Sequence, residues 1–210
     1  MNEFSSKQFG LYEFTAAAAS RDPVPGGGGV SALTGALAAC LSQMVTNLTI
    51  GKKRYLDYTD ELTATRDEAE ELRISLLSCI DEDAAAFAPL AKAYALPKDS
   101  QGYAEMMEDC LRNAAKPPFR ILKLASKIVD LDERLAVIGS KLAVSDAATS
   151  VILAHSAMYG AFMNIIVNTR LMKDRAYAER INKEADALLK EHSEKALEIY
   201  NSILGRLTNG

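Results

Sequence analysis

An all-α, single-domain bundle of long antiparallel helices is the fold class this sequence predicts, and three observations predict it. Apolar residues recur at steps of three and four from Val30 onward, which is the period of a helix with one buried face. Alanine is abundant and β-branched runs are short, so no segment reads as a strand. The 210 residues are 49% hydrophobic and 25% charged, enough to bury one core without disulfides or metals, and one domain spanning 1–210 is expected.

The elements follow in order. A short helix is expected over residues 11–19, and Arg21-Asp22-Pro23-Val24-Pro25 followed by Gly26, Gly27, Gly28 and Gly29 forms a loop that no regular element crosses. From Val30 the positions Leu33, Leu37, Leu41, Met44, Val45 and Leu48 keep a helical period, while Gly35, Ala36, Ala38 and Ala39 keep other faces small. Gly51 ends that helix, and Lys52-Lys53-Arg54 lies in the connection or in the first turn of a longer helix that reaches toward Leu96-Pro97. A helix over about 102–115 follows. Pro117-Pro118 is expected to restart the chain into another helix that Gly139 closes. Ser145 or Asp146 can cap the next helix, to about residue 172, and a charged last helix covers about 174–204.

Composition removes several function classes. Cys40, Cys79 and Cys110 form neither a CxxC pair nor a disulfide framework, which fits a reducing, cytoplasmic setting. The first residues lack the basic start and apolar stretch of a signal peptide. The apolar stretch 30–50 is interrupted by Ser31, Thr34, Ser42, Gln43, Thr46, Asn47 and Thr49, so it reads as a buried helix and no membrane partner is expected. A net charge of -4 argues against a nucleic-acid surface, which needs a clustered basic excess. Only His155 and His192 are present, neither beside cysteines or paired acids at ligand spacing, so no metal is expected. His155 is expected to fill a helix interface and His192 to lie on a solvated face.

Four constellations carry candidate chemistry. Gly27-x-Gly29-x-x-Ala32 loosely fits a dinucleotide fingerprint, but no strand precedes it, and no Lys-Ser or Lys-Thr follows as a P-loop requires. Four glycines before a helix still expose N–H groups at its positive end, where an anion or a polar ring edge could sit; a tight approach between two helices explains the run equally well. Asp81 and Asp83 interrupt apolar stripes, Asp83 sharing one with Leu76, Ile80, Phe87, Leu90 and Tyr94, whereas Glu82 falls on a polar side. A carboxylate in apolar surroundings is paired or has its pKa raised, and a raised pKa suits proton transfer near neutrality. From the residues alone, pairing with Lys or Arg across helices is the simpler explanation.

Asp146, Ser150, Ala154, Ala157, Ala161, Asn164 and Asn168 form a strip of small residues with polar ends, open to a second helix or to a flat ligand that the amides orient. Asp146 also suits the positive end of its helix. The Lys52-Lys53-Arg54 cluster directly follows the buried helix and could hold a carboxylate tail, although such clusters are most often solvated faces.

Taken together, Pro25-Gly26-Gly27-Gly28-Gly29-Val30 and Leu48-Thr49-x-Gly51-Lys52-Lys53-x-Tyr55 resemble the signature of the formimidoyltetrahydrofolate cyclodeaminase and methenyltetrahydrofolate cyclohydrolase family. Asp83-x-x-x-Phe87, Leu96-Pro97-Lys98, Gly139 with Ser145-Asp146, and Gly160-Ala161 with Asn164 and Asn168 are similar to family features in the same order. The resemblance covers roughly residues 12–174. It implies an all-α bundle, commonly a homodimer, acting on a reduced folate that carries a formimino or methenyl group, in a stand-alone version without the transferase half. It puts cyclodeamination of 5-formiminotetrahydrofolate first, with methenyltetrahydrofolate hydrolysis or non-catalytic folate binding as alternatives, and it needs no cofactor beyond the folate. Asp83 and Asp146 are then the expected proton-transfer groups. The amides of Gly26, Gly27, Gly28 and Gly29, with Asn164 and Asn168, would orient the pterin, and Lys52 and Lys53 would meet the glutamate tail. Ser140 departs from the asparagine expected after Gly139.

Overall fold

Small residues let the central helices approach closely. In the computed structural model, which describes residues 5–6 and 10–209, α2 (Gly27–Asn47) and α5 (Val144–Thr169) lie antiparallel at the centre. Ser150, Ala154, Ala157 and Ala161 are fully or almost fully buried against this partner, so a helix and not a ligand fills the small-residue strip. At Gly35 a Cβ would stand 3.2 Å from the Leu76 methyls and 3.5 Å from the Ala157 Cβ. A mid-helix glycine costs about 1 kcal/mol relative to alanine, so its presence here reflects that contact.

The remaining helices are α1 (Leu11–Ala18), α3 (Thr59–Tyr94), α4 (Tyr103–Ile138) and α6 (Arg175–Thr208), with a short 3-10 helix at Lys53–Tyr58. Among the described residues there is no strand, as the periodicity predicts. The predicted limits 1–210 also include residues 1–4, 7–9 and 210, which lie outside the described residues. α3 and α5 run opposite to α2, α4 and α6, so the bundle has two ends. One holds the start of α2, the other its finish at Asn47, four residues before the expected Gly51, which instead sits in the turn that follows with a φ of +80° that suits a residue without a Cβ. A rise of 1.5 Å per residue sets these ends roughly 30 Å apart.

Pro117-Pro118 does not restart the chain: α4 runs unbroken through both prolines. An interior proline costs about 3 kcal/mol through a lost hydrogen bond and a clash. Pro118 cannot donate to the Ala114 carbonyl, and Asn168 Nδ2 donates to it instead at 3.1 Å. One such bond is worth about 1 kcal/mol. Burial of both rings inside the bundle supplies further compensation, which sequence punctuation alone does not reveal. Neither Ser145 nor Asp146 caps α5 by its side chain, since Ala143 occupies the cap; Asp174 does cap α6, accepting from the Tyr177 N–H at 3.0 Å.

α2 carries no charge along its whole length. By length and composition α2 and α5 could each cross a membrane, but both pack against other helices of the bundle. One side of α2 is buried and the other, through Val30, Leu33, Leu37, Cys40, Met44 and Leu48, stays partly or fully exposed.

Halfway along, Ser42 Oγ donates to Asp132 Oδ1 at 2.7 Å and lies 2.9 Å from Ser150 Oγ. Asp132 is fully buried, and its Oδ2 has no partner among the described residues. Burial pushes its pKa up to about 8, against the opposing pull of the Ser150 and Ser42 hydroxyls. The ordinary value is 3.8, so the folded state holds the proton more tightly than the unfolded chain, and the associated stability is lost as pH rises from about 4 through 8. Asp132→Asn removes that dependence. Thermal melts at pH 5 and pH 9 should show a smaller fall in Tm for the variant than for the parent.

Candidate active site

Helix α2 begins without a side-chain cap: Gly26 is extended and Gly27, Gly28 and Gly29 form the first turn. The Asp83 carboxyl from α3 occupies the space that a Cβ on Gly28 would need, colliding through all three carboxyl atoms. Asn164 from α5 stands on the other side, its Nδ2 3.0 Å from where a Cβ on Gly27 would lie. The glycine run thus brings a carboxylate and an amide against a helix N-terminus. The anion at that terminus is the protein's own Asp83, and close approach and anion contact are one arrangement.

Two influences act on Asp83. Burial raises its pKa from 3.8 to about 6, and the Gly29 backbone N–H pulls it the other way. The cross-helix cation expected as the simpler explanation is absent from these causes. Its neighbours behave differently. Asp81 accepts from the Ser6 backbone N–H at 2.5 Å and from its hydroxyl at 3.1 Å, and Glu82 pairs with Arg120. A carboxyl poised near 6 can take or return a proton at physiological pH.

Asn164 Nδ2 donates to the Gly160 carbonyl at 2.8 Å, which orients its amide. Asn168 Nδ2 is engaged by the Ala114 and Asn164 carbonyls, so a ligand can use only its Oδ1 side. Ser31, absent from the sequence-derived set, also belongs here: its hydroxyl donates to the Gly27 carbonyl at 2.7 Å and fills the space beside Gly160. The Gly160-Ala161 pair in the sequence is its trace.

The other predicted residues lie at the opposite end. Lys52 follows α2, its Nζ donating to Ser140 Oγ at 2.8 Å, while the Ser140 N–H donates to Thr49 Oγ1 at 2.8 Å. Ser140 is buried and supplies the polar contact at its position. Lys53 enters the 3-10 helix, and the neighbouring Arg54, Tyr55, Tyr58, Lys141 and Arg206 line an open cavity of about 850 Å³. Asp146 sits in the first turn of α5, 18 residues and so about 27 Å of helix from Asn164. One chain therefore does not bring Asp83 together with Asp146, Lys52 or Lys53. Spacing within a helix records faces, but the antiparallel course of α5 sends its two polar ends apart.

The histidines divide too. His155 lies 2.8 Å from Ser193 Oγ in the α5–α6 interface, as expected. His192 is buried and not solvated, with Nε2 3.4 Å from Asp130, because α6 turns that face onto α4.

Residues 10–187 match the model of the formiminotransferase-cyclodeaminase family. The chain belongs to that family. It is an enzyme of the cyclodeaminase/cyclohydrolase class. A methenyltetrahydrofolate cyclohydrolase from Methylorubrum extorquens is 35% identical over 193 residues, covering 90% of this chain and 93% of that one. The mouse formimidoyltransferase-cyclodeaminase is 26% identical; the match covers 93% of this chain but 37% of the mouse protein. The crystal structure of a formiminotetrahydrofolate cyclodeaminase from Thermotoga maritima superposes with a TM-score of 0.83 at 28% identity, covering 94% of this chain and 98% of that one.

If the glycine run exists for Asp83, Gly28→Ala will displace the carboxyl and lower turnover at least tenfold. The helical circular dichroism signal should persist, and Gly27→Ala, which meets only the flexible Asn164 amide, should cost less.

Proposed function

We propose that this family member hydrolyses 5,10-methenyltetrahydrofolate to 10-formyltetrahydrofolate, with Asp83 as the proton-transfer group. The observation that carries the chemistry is the half-buried Asp83 carboxyl, held near pKa 6 against the α2 N-terminus beside Asn164. The choice of hydrolysis rests on the 35% identity to a cyclohydrolase along nearly all of both chains.

In this reading the ionised Asp83 faces the cationic methenyl carbon and takes a proton from the attacking water as the C–O bond forms. The resulting tetrahedral carbon carries a hydroxyl. Asp83 then returns a proton to N5 as the C–N5 bond breaks, the hydroxyl proton leaves for solvent, and the formyl group stays on N10. General acid–base catalysis of this kind contributes about 10²–10⁴-fold. The amides of the glycine turn and Asn164 orient the pterin, and the reading requires no metal or further cofactor. A cytoplasmic homodimer, expected from the unpaired cysteines and the family resemblance, belongs to the same proposal.

Cyclodeamination is the second reading, favoured by the family match and by the Thermotoga maritima structure. There N10 attacks the formimino carbon on N5, the N10 proton passes to the imino nitrogen, and a protonated Asp83 supplies the second proton as the bond from carbon to that nitrogen breaks, so that ammonia leaves and the methenyl cation remains. Supplying each folate to the purified enzyme separates the two: hydrolysis removes the methenyl chromophore, and deamination creates it with release of ammonia.

For hydrolysis, kcat/KM should rise with pH through an apparent pKa near 6 and level off above it, because the ionised carboxyl is the active form. Asp83→Asn should lower turnover at least tenfold and abolish that limb, while the melting transition stays cooperative. Full activity in the variant sinks the assignment. The Lys52→Ala/Lys53→Ala chain should show a raised KM with little change in kcat, more so for polyglutamyl folate. The effect should shrink as salt rises, since exposed charge contacts are worth about 0–1 kcal/mol and are screened.

A further inference from the structure

The cavity of about 850 Å³ has no part in the chemistry at Asp83. It lies at the opposite end of the bundle, between the 3-10 helix, the α4–α5 connection and the last turns of α6. Arg54, Lys141 and Arg206 bring one cation from each of these three elements to its lining, which contains no Asp or Glu. Among the described residues none of the three makes an ion pair, in a chain whose net charge is -4. Like charges that converge without a counter-ion repel one another, so the lining is complete only with an anion. Its hydrogen-bond donors are also left over. The Lys141 backbone N–H donates to the Tyr55 hydroxyl oxygen at 3.1 Å, which leaves the hydroxyl proton for a ligand. Arg206 Nη1 donates to the Ala136 carbonyl at 2.8 Å, which fixes the guanidinium and leaves its Nη2 unspent on that carbonyl. Arg206 lies beyond residue 187, where the family match ends, so this lining draws on a part of the chain that the match does not cover.

We infer that this cavity binds a nucleoside diphosphate, whose phosphates meet Arg54, Lys141 and Arg206 and whose base lies on the apolar wall of Tyr58, Val137 and Leu207. That wall is open to a ligand: the three side chains line the cavity and expose 41%, 71% and 54% of their surface. Size narrows the choice. Sites for organic ligands run from about 300 to 1,000 Å³, and a bare phosphate fills only a small part of such a space. Chemistry narrows it further. Two guanidinium forks match phosphate oxygens two bonds at a time, and an ammonium adds a point charge, so the cationic side suits an acceptor-rich head with several negative charges. A planar base gains from the tyrosine ring and the aliphatic neighbours on the other side. A simple dicarboxylate leaves that wall bare, and an uncharged ring leaves the cations unmet. The inference stands apart from the folate chemistry proposed above, because a helix length, roughly 30 Å, separates the cavity from Asp83.

Calorimetric titration of the purified full chain with ADP, adenosine and inorganic pyrophosphate tests the assignment. ADP should bind saturably, one per chain, and more weakly as salt rises. Adenosine and pyrophosphate should each bind about tenfold more weakly or worse, since each meets only one side of the cavity. Lys141→Ala/Arg206→Gln should weaken ADP by about tenfold or more, because charge-assisted hydrogen bonds to phosphate are the strong ones, and should keep the helical circular dichroism signal. Asp83→Asn should bind ADP as the parent does, and a folate at saturating concentration should not displace it. A measurement on the unaltered chain needs no variant to fold: ADP should protect the exposed Lys141 amine from acetylation, read by peptide mass spectrometry. No saturable binding at millimolar ADP, unchanged affinity in Lys141→Ala/Arg206→Gln, or acetylation of Lys141 at the same rate with ADP present overturns the site. Pyrophosphate binding as tightly as ADP overturns the nucleotide assignment. Displacement by folate, or loss of ADP binding in Asp83→Asn, places the nucleotide in the folate site and overturns the inference while leaving the proposed function intact.

Discussion

The close approach of the Asp83 carboxyl to the first turn of α2 sets much of what surrounds it. No residue larger than glycine fits at position 28 while that carboxyl is in place, so the Gly26-Gly27-Gly28-Gly29 run and the α2–α3 register depend on each other. Asp83 at Gly28 and Leu76 at Gly35 are seven residues apart on each helix, and both contacts use the missing Cβ. The same approach balances the acid chemically. Withdrawal from water pushes the pKa up, the backbone N–H of Gly29 draws it down, and the result near 6 serves proton transfer better than either extreme.

Polar groups inside the bundle divide between repair of the backbone and local hydrogen bonding. Asn168 closes the carbonyl that Pro118 leaves open in α4, and the same Nδ2 also donates to the backbone carbonyl of Asn164, the neighbour of the glycine turn. A proline in one helix is thereby coupled to the orientation of a site residue in another. Asp132, Ser42 and Ser150 join α4, α2 and α5 at mid-height through side-chain contacts, with one carboxyl oxygen left unpartnered among the described residues. A fully buried acid is tolerated there because its raised pKa keeps it largely neutral near pH 7.

Helix length imposes the remaining constraint. A helix the length of α2 carries its two ends to opposite poles of the molecule, so Asp83 at its start and Lys52 just past its finish stand at opposite ends of the bundle. Long uncharged helices would ordinarily be buried on every side, whereas α2 keeps an apolar side exposed.

The sequence by itself determined the helical class, the limits of α1 and α2 to within a few residues, the turn at Gly51 after α2, and Asp83 as an acid on an apolar stripe. These are local properties: a period of three to four residues, a glycine at a turn and a charge among apolar neighbours can all be read within one helix. The ordered motifs also pointed to the family. Tertiary structure decided the rest. Pro117 and Pro118 did not end a helix, because burial of their rings and the Asn168 amide from another helix compensate for what they remove. His192 and Asp132 proved buried, because their surroundings come from elements far away in the chain. Asp146 and Lys52 parted from Asp83 because antiparallel packing turns a separation along the sequence into a position along the bundle axis, and periodicity holds no record of which end of a helix meets which.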